Sequence, residues 1–306
     1  MVADRPVRAS SKAKVAPLVR QDNPAAAVKV LGAMLRDLRR ARGLGLKDAA
    51  PVIRASMSKI SRLERGEHPP RRRDVLDLVA FYGADSAETV AEVEELLRTA
   101  ATESWWSHYS DVTPGWLRRL ISLEDSAEEI RTYEVQVVPG LLQTRAYARA
   151  VVRAGFPAAD VSDIERRVDL RMQRQSLLRG PQRPKLLALL DESILWRPVG
   201  GPEVMAEQMR FLLTQMRRRR ISVNVVRYGE AASVAPPSSV TVLRFAAGGP
   251  SELVYLEQID GALYLSRESE LDAYRLRLSR LVQAAEDGPA TEAMLEQAIT
   301  RYTHRA

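Results

Sequence analysis

The stretch Ile53-Arg54-Ala55-Ser56-Met57-Ser58-Lys59-Ile60-Ser61-Arg62-Leu63-Glu64-Arg65-Gly66, preceded by Gly43-Leu44-Gly45-Leu46-Lys47-Asp48-Ala49-Ala50, decides how this chain is read. Ser56 is a good N-cap, because its hydroxyl can take the free N–H of Ser58 or Lys59, and Ile60 with Leu63 forms a buried stripe at helical spacing. Met57, Ser58, Ser61, Arg62 and Arg65 then face outward. Leu46 to Ile53 predicts a second short helix ahead of it, with Ala49 and Ala50 as small contact positions. Pro51 requires that helix to start near Lys47 or to be short. Two short helices joined by a tight turn, apolar inside and cationic outside, have the shape that puts one helix into a DNA major groove.

The neighbouring segments complete a small all-α domain. From Lys29 onward, Val30-Leu31, Met34-Leu35 and Leu38 recur at helical spacing with Arg36, Arg39, Arg40 and Arg42 between them, and Gly43 closes the helix. Pro69-Pro70 breaks the chain, Arg73 to Tyr82 predicts a core helix ended by Gly83, and Ser86 caps a further helix running towards Ala101. These signals place the domain at 28–84 and a linking helix at 85–104. Residues 1–27, rich in Ala, Pro, Lys and Arg and without hydrophobic periodicity, read as a flexible basic tail. Its Arg5, Arg8, Lys12, Lys14 and Arg20 suit either a DNA backbone or a plain disordered leader.

Charge divides the chain in the same place. Residues 1–84 hold 18 Lys/Arg against 8 Asp/Glu, a balance of +10; the other 222 residues hold 28 against 31, or −3, within a net +7. A basic excess is what phosphate binding needs, since neutralising phosphates releases counterions, although a merely solvated face has the same composition.

From Trp105 the character changes, and a larger domain is expected over 105–306. Arg131 to Val138, Lys185 to Leu190, Ser222 to Val226, Val240 to Phe245, Leu253 to Leu256 and Leu263 to Leu265 are short β-branched or alternating runs. Helices are expected after the Thr144 cap to Gly155, from about Val161 to Leu178, and at Pro202–Met216, Glu268–Ala285 and Pro289–Thr303. Without strict βαβ repetition the fold class is α+β: an all-α N-terminal domain followed by a larger α+β domain.

Several functions find no support. The chain has no cysteine and three scattered histidines, His68, His108 and His304, so neither a metal site nor any other cofactor is expected. No signal-peptide core follows the basic N-terminus and no segment approaches the ~20 apolar residues of a membrane span, which points to a cytoplasmic protein that does not engage a membrane. Asp191, Glu192 and Glu257 lie on or beside expected strands without a His, Lys or nucleophile to complete a reaction, so no enzyme is expected. Arg217-Arg218-Arg219-Arg220 falls at a helix C-terminus, where cations complement the dipole; an acidic partner surface is the other reading. Trp105, Trp106 and Trp116 either pack the domain junction or line a ligand pocket.

Residues 53–66 match the pattern Ile/Leu-x-x-Ser-x-Ser-x-Ile-Ser-Arg-Leu-Glu-Arg-Gly, and over Val30 to Ala84 the chain resembles the Xre-type helix-turn-helix family related to the phage repressors. Downstream, Val138-Pro139-Gly140-Leu141-Leu142-Gln143-Thr144, Leu190-Asp191-Glu192-Ser193, Pro198-Val199-Gly200-Gly201-Pro202 and Tyr255-Leu256-Glu257 with Gly261-Ala262-Leu263-Tyr264-Leu265 resemble the effector-type domain of WhiJ-like regulators. The resemblance implies a regulator that reads double-stranded DNA, and a small acidic partner protein with which it behaves in an antitoxin-like or co-regulatory way; because one small helix-turn-helix makes few base contacts, a homodimer is expected. A small-molecule ligand of the second domain is the alternative signal.

On the helix-turn-helix reading, Arg62 reads bases through a bidentate guanidinium, with Ser58, Ser61 and Met57 beside it, while Lys47, Lys59, Arg65, Arg71, Arg72 and Arg73 suit phosphates. For Arg65 and the arginine run, a solvated surface is the alternative. Gly45 and Leu46 stand where the family commonly has a Ser/Thr cap and a Gln, and Arg54 holds a turn site often occupied by Gly. These departures move recognition onto Ser58, Ser61 and Arg62.

Overall fold

Pro24 opens the first helix, α1 (Pro24–Ala41), because its missing N–H costs nothing in a first turn and the alanines after it are strong helix formers. The computed structural model describes residues 24–101, 104–180, 183–245 and 251–304. Arg5, Arg8, Lys12, Lys14 and Arg20 of the expected tail lie outside the described residues, whereas 24–27 belong to α1, with Ala27 buried.

The second helix is shorter than Leu46 to Ile53. α2 (Leu46–Ala49) tightens into a 3₁₀ turn over Ala50–Ile53, since Pro51 cannot supply the N–H that would continue the α pattern. The turn ends on Arg54 at φ 51° and ψ 46°, the one positive φ outside glycine among the described residues. An L side chain there costs on the order of 1–2 kcal/mol.

α3 (Met57–Glu64), α4 (Arg72–Phe81) and α5 (Ala87–Ala101) follow. Leu31, Leu35, Ile60, Leu63, Val75, Leu78 and Tyr82 pack into one core, and Val93 and Leu97 of α5 are buried in it as well. The helix expected as a link therefore also walls the N-terminal core. Gly32 lets α1 approach α3, because a Cβ there would sit 2.5 Å from the Leu63 carbonyl oxygen.

The second domain runs from a 3₁₀ turn at Trp105–Tyr109 through α6 (Gly115–Asp125) and β1 (Glu129–Glu134) to α7 (Arg145–Gly155), α8 (Val161–Arg174) and β2 (Lys185–Asp191). It continues with α9 (Ser193–Trp196), α10 (Pro202–Met216), β3 (Ile221–Val226), α11 (Tyr228–Val234), β4 (Val240–Arg244), β5 (Glu252–Gln258), β6 (Gly261–Leu265), α12 (Glu268–Ala284) and α13 (Gly288–Thr303). The six strands form one sheet in the order β3-β2-β1-β4-β5-β6. Pairs β1–β2 and β2–β3, whose connections carry helices, are parallel; β1–β4, β4–β5 and β5–β6 are antiparallel. The architecture is the expected α+β.

β1 stops at Glu134 rather than Val138. Its antiparallel partner reaches only as far as Val240 opposite Tyr133, and Pro139 ahead has no N–H to donate. Strand alternation sorts two cores: Ile130, Leu186, Val223, Leu243 and Leu253 join α10 and α13 on one face, while Tyr133, Leu189, Val242 and Val254 join α12 on the other.

Candidate nucleic-acid interface

α3 presents two chemically opposite faces. Inward, Ile60 and Leu63 are buried, and Glu64 continues their stripe into a bidentate pair with Arg39 of α1: Nε donates to Oε1 at 2.6 Å and Nη2 to Oε2 at 2.7 Å. The third arm of Arg39, Nη1, donates to the Leu44 carbonyl at 2.7 Å, so one side chain ties together α1, the loop before α2, and α3. The Glu64 hydrogen bonds raise the guanidinium pKa above its ordinary value despite burial. Ser56 caps the helix by accepting from the Lys59 N–H at 3.2 Å, leaving the α3 N-terminus at the surface.

Outward, the expected base-reading residues are brought together on α3. Met57 is 56% exposed, Ser58 and Arg62 are exposed, and Ser61 is half-buried. Ser61 is already engaged, since its Oγ accepts from Arg65 Nη1.

The expected phosphate contacts divide by their partners. Lys59 Nζ pairs with Asp74 at 2.8 Å, Arg65 Nη2 with Glu67 at 2.9 Å, Arg72 with Glu94, and Arg73 more distantly with Asp77 at 3.8 Å. Hydrogen bonding to Glu67 raises the pKa of Arg65, and Glu94 does the same for Arg72. Lys47 and Arg71 are exposed and, like Arg62, have no carboxylate within salt-bridge distance among the described residues. A cation without a partner can neutralise a phosphate without first breaking an ion pair.

In the second domain the remaining residues singled out from the sequence have these surroundings. Trp106 is buried and stacks edge-to-face with Trp105 at 5.6 Å, over Ile121 and Leu170, while Trp116 packs against the main core. Asp191 accepts from Tyr133 Oη at 3.0 Å and from the Ser193 N–H at 2.9 Å, and Glu192 accepts from the Tyr228 N–H at 3.1 Å. Glu257 accepts from Tyr255 Oη at 3.2 Å on β5, which β1 and β4 separate from β2, so these carboxylates form no pair. Arg217 to Arg220 are exposed at the C-terminal end of α10, with Arg220 donating to the Arg183 carbonyl. Half-buried Glu134 has its pKa pushed up to about 7 by desolvation, against hydrogen bonds from Thr132 and Ser239. Among the described residues no group of three or more His, Asp or Glu is placed to hold a metal, and no helix is long and apolar enough to cross a membrane.

Two features escaped the sequence reading. The Arg39–Glu64 pair had a signal: Leu31, Leu35 and Arg39 are four apart on α1, as are Ile60 and Glu64 on α3, so each charge extends an apolar stripe. The contact between domains had none. Lys29 Nζ of α1 lies 3.3 Å from the centre of the Phe245 ring, just past the end of β4, and Arg119 of α6 stands 3.9 Å from Glu67 in the loop after α3.

Comparison with known proteins follows the same division. Residues 30–96 match the family described as a helix-turn-helix domain, and residues 117–297 match a domain of unknown function, DUF5753. The chain is similar to the HTH-type transcriptional regulator DdrOP3 of Deinococcus deserti, 31% identical over 105 residues, which is 29% of this chain and 77% of that protein. No solved structure matches.

Proposed function

Because this chain belongs to the DUF5753 family and carries a helix-turn-helix domain ahead of that region, we propose that it is a sequence-specific DNA-binding transcriptional regulator whose α3 enters the major groove. The observation that carries the reading is the outward face of α3, where Met57, Ser58 and an Arg62 without a carboxylate partner among the described residues stand together on a helix anchored from behind by Arg39–Glu64. Arg62 reads guanine O6 and N7, Met57 touches a thymine methyl and Ser58 supplies a weaker contact. Lys47 and Arg71 hold phosphates directly. Lys59, Arg65, Arg72 and Arg73 contribute by exchanging a protein carboxylate for a phosphate, at lower net gain. The name of the Deinococcus relative supports the same role.

One such helix makes few base contacts, so the protein binds as a dimer on inverted half-sites roughly 34 Å apart. The α+β domain receives the signal, in keeping with its resemblance to WhiJ-like effectors, and the protein works in the cytoplasm. Operator selection followed by footprinting tests this: two symmetric half-sites are expected, and a single asymmetric site refutes the dimer. Arg62→Ala is expected to cost about 1–3 kcal/mol and relax base preference. Equal loss on selected and random DNA refutes its base-reading role.

A further inference from the structure

We infer that the cleft between the two domains, walled by Lys29, the loop after α3, Arg119 and Phe245, is a binding site for a small organic carboxylate. The inference rests on the regulator reading above and gives it a signal.

The cleft has a volume of about 310 Å³, at the small end of the ~300–1,000 Å³ usual for small-molecule sites. Val28, Leu123, Leu253 and Phe245 give it apolar walls. Set among them is a charge without an answer: Lys29 Nζ is cut off from solvent and has no hydrogen-bond partner among the described residues, and it lies 3.3 Å from the centre of the Phe245 ring. Buried polar groups in proteins are nearly always paired, and a buried ammonium is the costliest to leave alone.

The groups that face Lys29 do not supply an anion. Arg119 adds a second positive charge, held over the Tyr264 ring at 4.2 Å. Among the described residues Glu67 is the one carboxylate in the lining, and it is shared between Arg65 at 2.9 Å and Arg119 at 3.9 Å; His68 and Ser122 are the other polar residues of the cleft. Burial, and then Arg119, lower the Lys29 pKa to about 7. Once Lys29 Nζ swings off the Phe245 ring towards the cleft, a carboxylate oxygen seated there supplies the acceptor it lacks, and the ligand's charge answers the excess left after Glu67 is spent. The apolar walls select a monoanion with an apolar body over inorganic phosphate.

The position gives such an occupant a lever on DNA reading. Gly66, at φ +67°, directly follows Arg65 at the end of α3, and a Cβ there would lie 2.9 Å from both Cα and Cγ of Lys29. One wall of the cleft is thus the exit of the DNA-facing helix and the other is the α+β domain. A ligand touching both biases their relative arrangement, and linkage requires operator and ligand to alter each other's affinity by the same factor.

Calorimetry on the full-length chain at pH 8 tests the site with phenylacetate and octanoate as probes, and phenylacetamide and inorganic phosphate as comparators. At least one carboxylate is expected to bind saturably, with the comparators weaker by tenfold or more. Binding is expected with net proton uptake, read from buffers of different ionisation heat, because the carboxylate raises the Lys29 pKa. Lys29→Met, which keeps an apolar stem, and Arg119→Gln are each expected to lose on the order of tenfold in probe affinity. Failure of both carboxylates at millimolar concentration, equal binding of phenylacetamide, or undiminished affinity in a folded Lys29→Met protein overturns the site. If Lys29→Met does not fold, proton uptake and the amide comparison decide on the native protein. Operator selection without probe separates the two claims: an operator with no carboxylate binding sinks this site alone, whereas no operator sinks the regulator reading, and the calorimetry still judges the site.

Discussion

Replacing Glu64 by Ala should loosen the whole DNA-reading domain. Arg39 is 7% exposed and Glu64 5%, so the truncation strands a guanidinium whose Nε and Nη2 lose both acceptors and which water cannot readily reach. Removing one member of such a buried pair costs about 3–5 kcal/mol, because the remaining charge stays desolvated. The bond from Nη1 to the Leu44 carbonyl survives and keeps the loss towards the lower end. Each 1.4 kcal/mol is tenfold in an opening equilibrium, so amides of α1 and α3 should exchange with deuterium about 10²–10³ times faster. Native-state exchange of the full chain, read on peptides covering residues 31–42 and 57–66, resolves this from the α+β domain. The double variant Arg39→Met/Glu64→Leu removes both charges at similar volume and should return exchange to within about tenfold of the parent. An acceleration below about fivefold for Glu64→Ala, or a double variant as loose as the single, refutes the reasoning.

Three further outcomes follow from individual contacts. Arg71→Ala should lower affinity for all DNA sequences and reduce the slope of log K against log salt by about 1, whereas Arg72→Ala, already paired with Glu94, should change the slope less; titration of binding against salt concentration checks both. Gly66→Ala should destabilise the reading domain, since it combines φ +67° with a Cβ 2.9 Å from Lys29 Cα, and a lowered denaturation midpoint would show it. Glu134 binds a proton more tightly folded than unfolded, so its contribution is present below pH ~4.5 and lost as pH rises through about 7. Glu134→Gln should therefore stabilise the protein at pH 8 by about 1–3 kcal/mol and have little effect at pH 4.5, as denaturant titrations at the two pH values will report.

Local signals in the sequence found what local physics decides. Ser56 and Thr144 cap the helices expected of them, Pro202–Met216 forms as a helix, and all six strand segments pair in one sheet, because caps, breakers and alternation act over a few residues. The four-residue α9 and the short α11 went unseen, being too brief to show a helical period. On the interface, periodicity separated the outward Met57, Ser58 and Arg62 from the buried Ile60 and Leu63. It could not show that Lys59 and Arg72 find carboxylates, since their partners, Asp74 and Glu94, depend on how α3, α4 and α5 cross. Strand order and the junction cleft were equally hidden. Both depend on contacts between distant parts of the chain, such as Lys29 with Phe245, that no short window contains.

The sheet topology also sets the order in which the protein can take shape on the ribosome. Every element of the first core has been made by residue 101, so that domain can close early. β1 waits far longer: its parallel neighbour begins at Lys185, and its antiparallel neighbour ends at Arg244 opposite Glu129. Until β4 is made, one edge of β1 is unpaired and the sheet is incomplete. The nascent chain thus completes the core behind α3 well before the sheet of the second domain can close, and holdase chaperones should engage the second half of the chain more than the first.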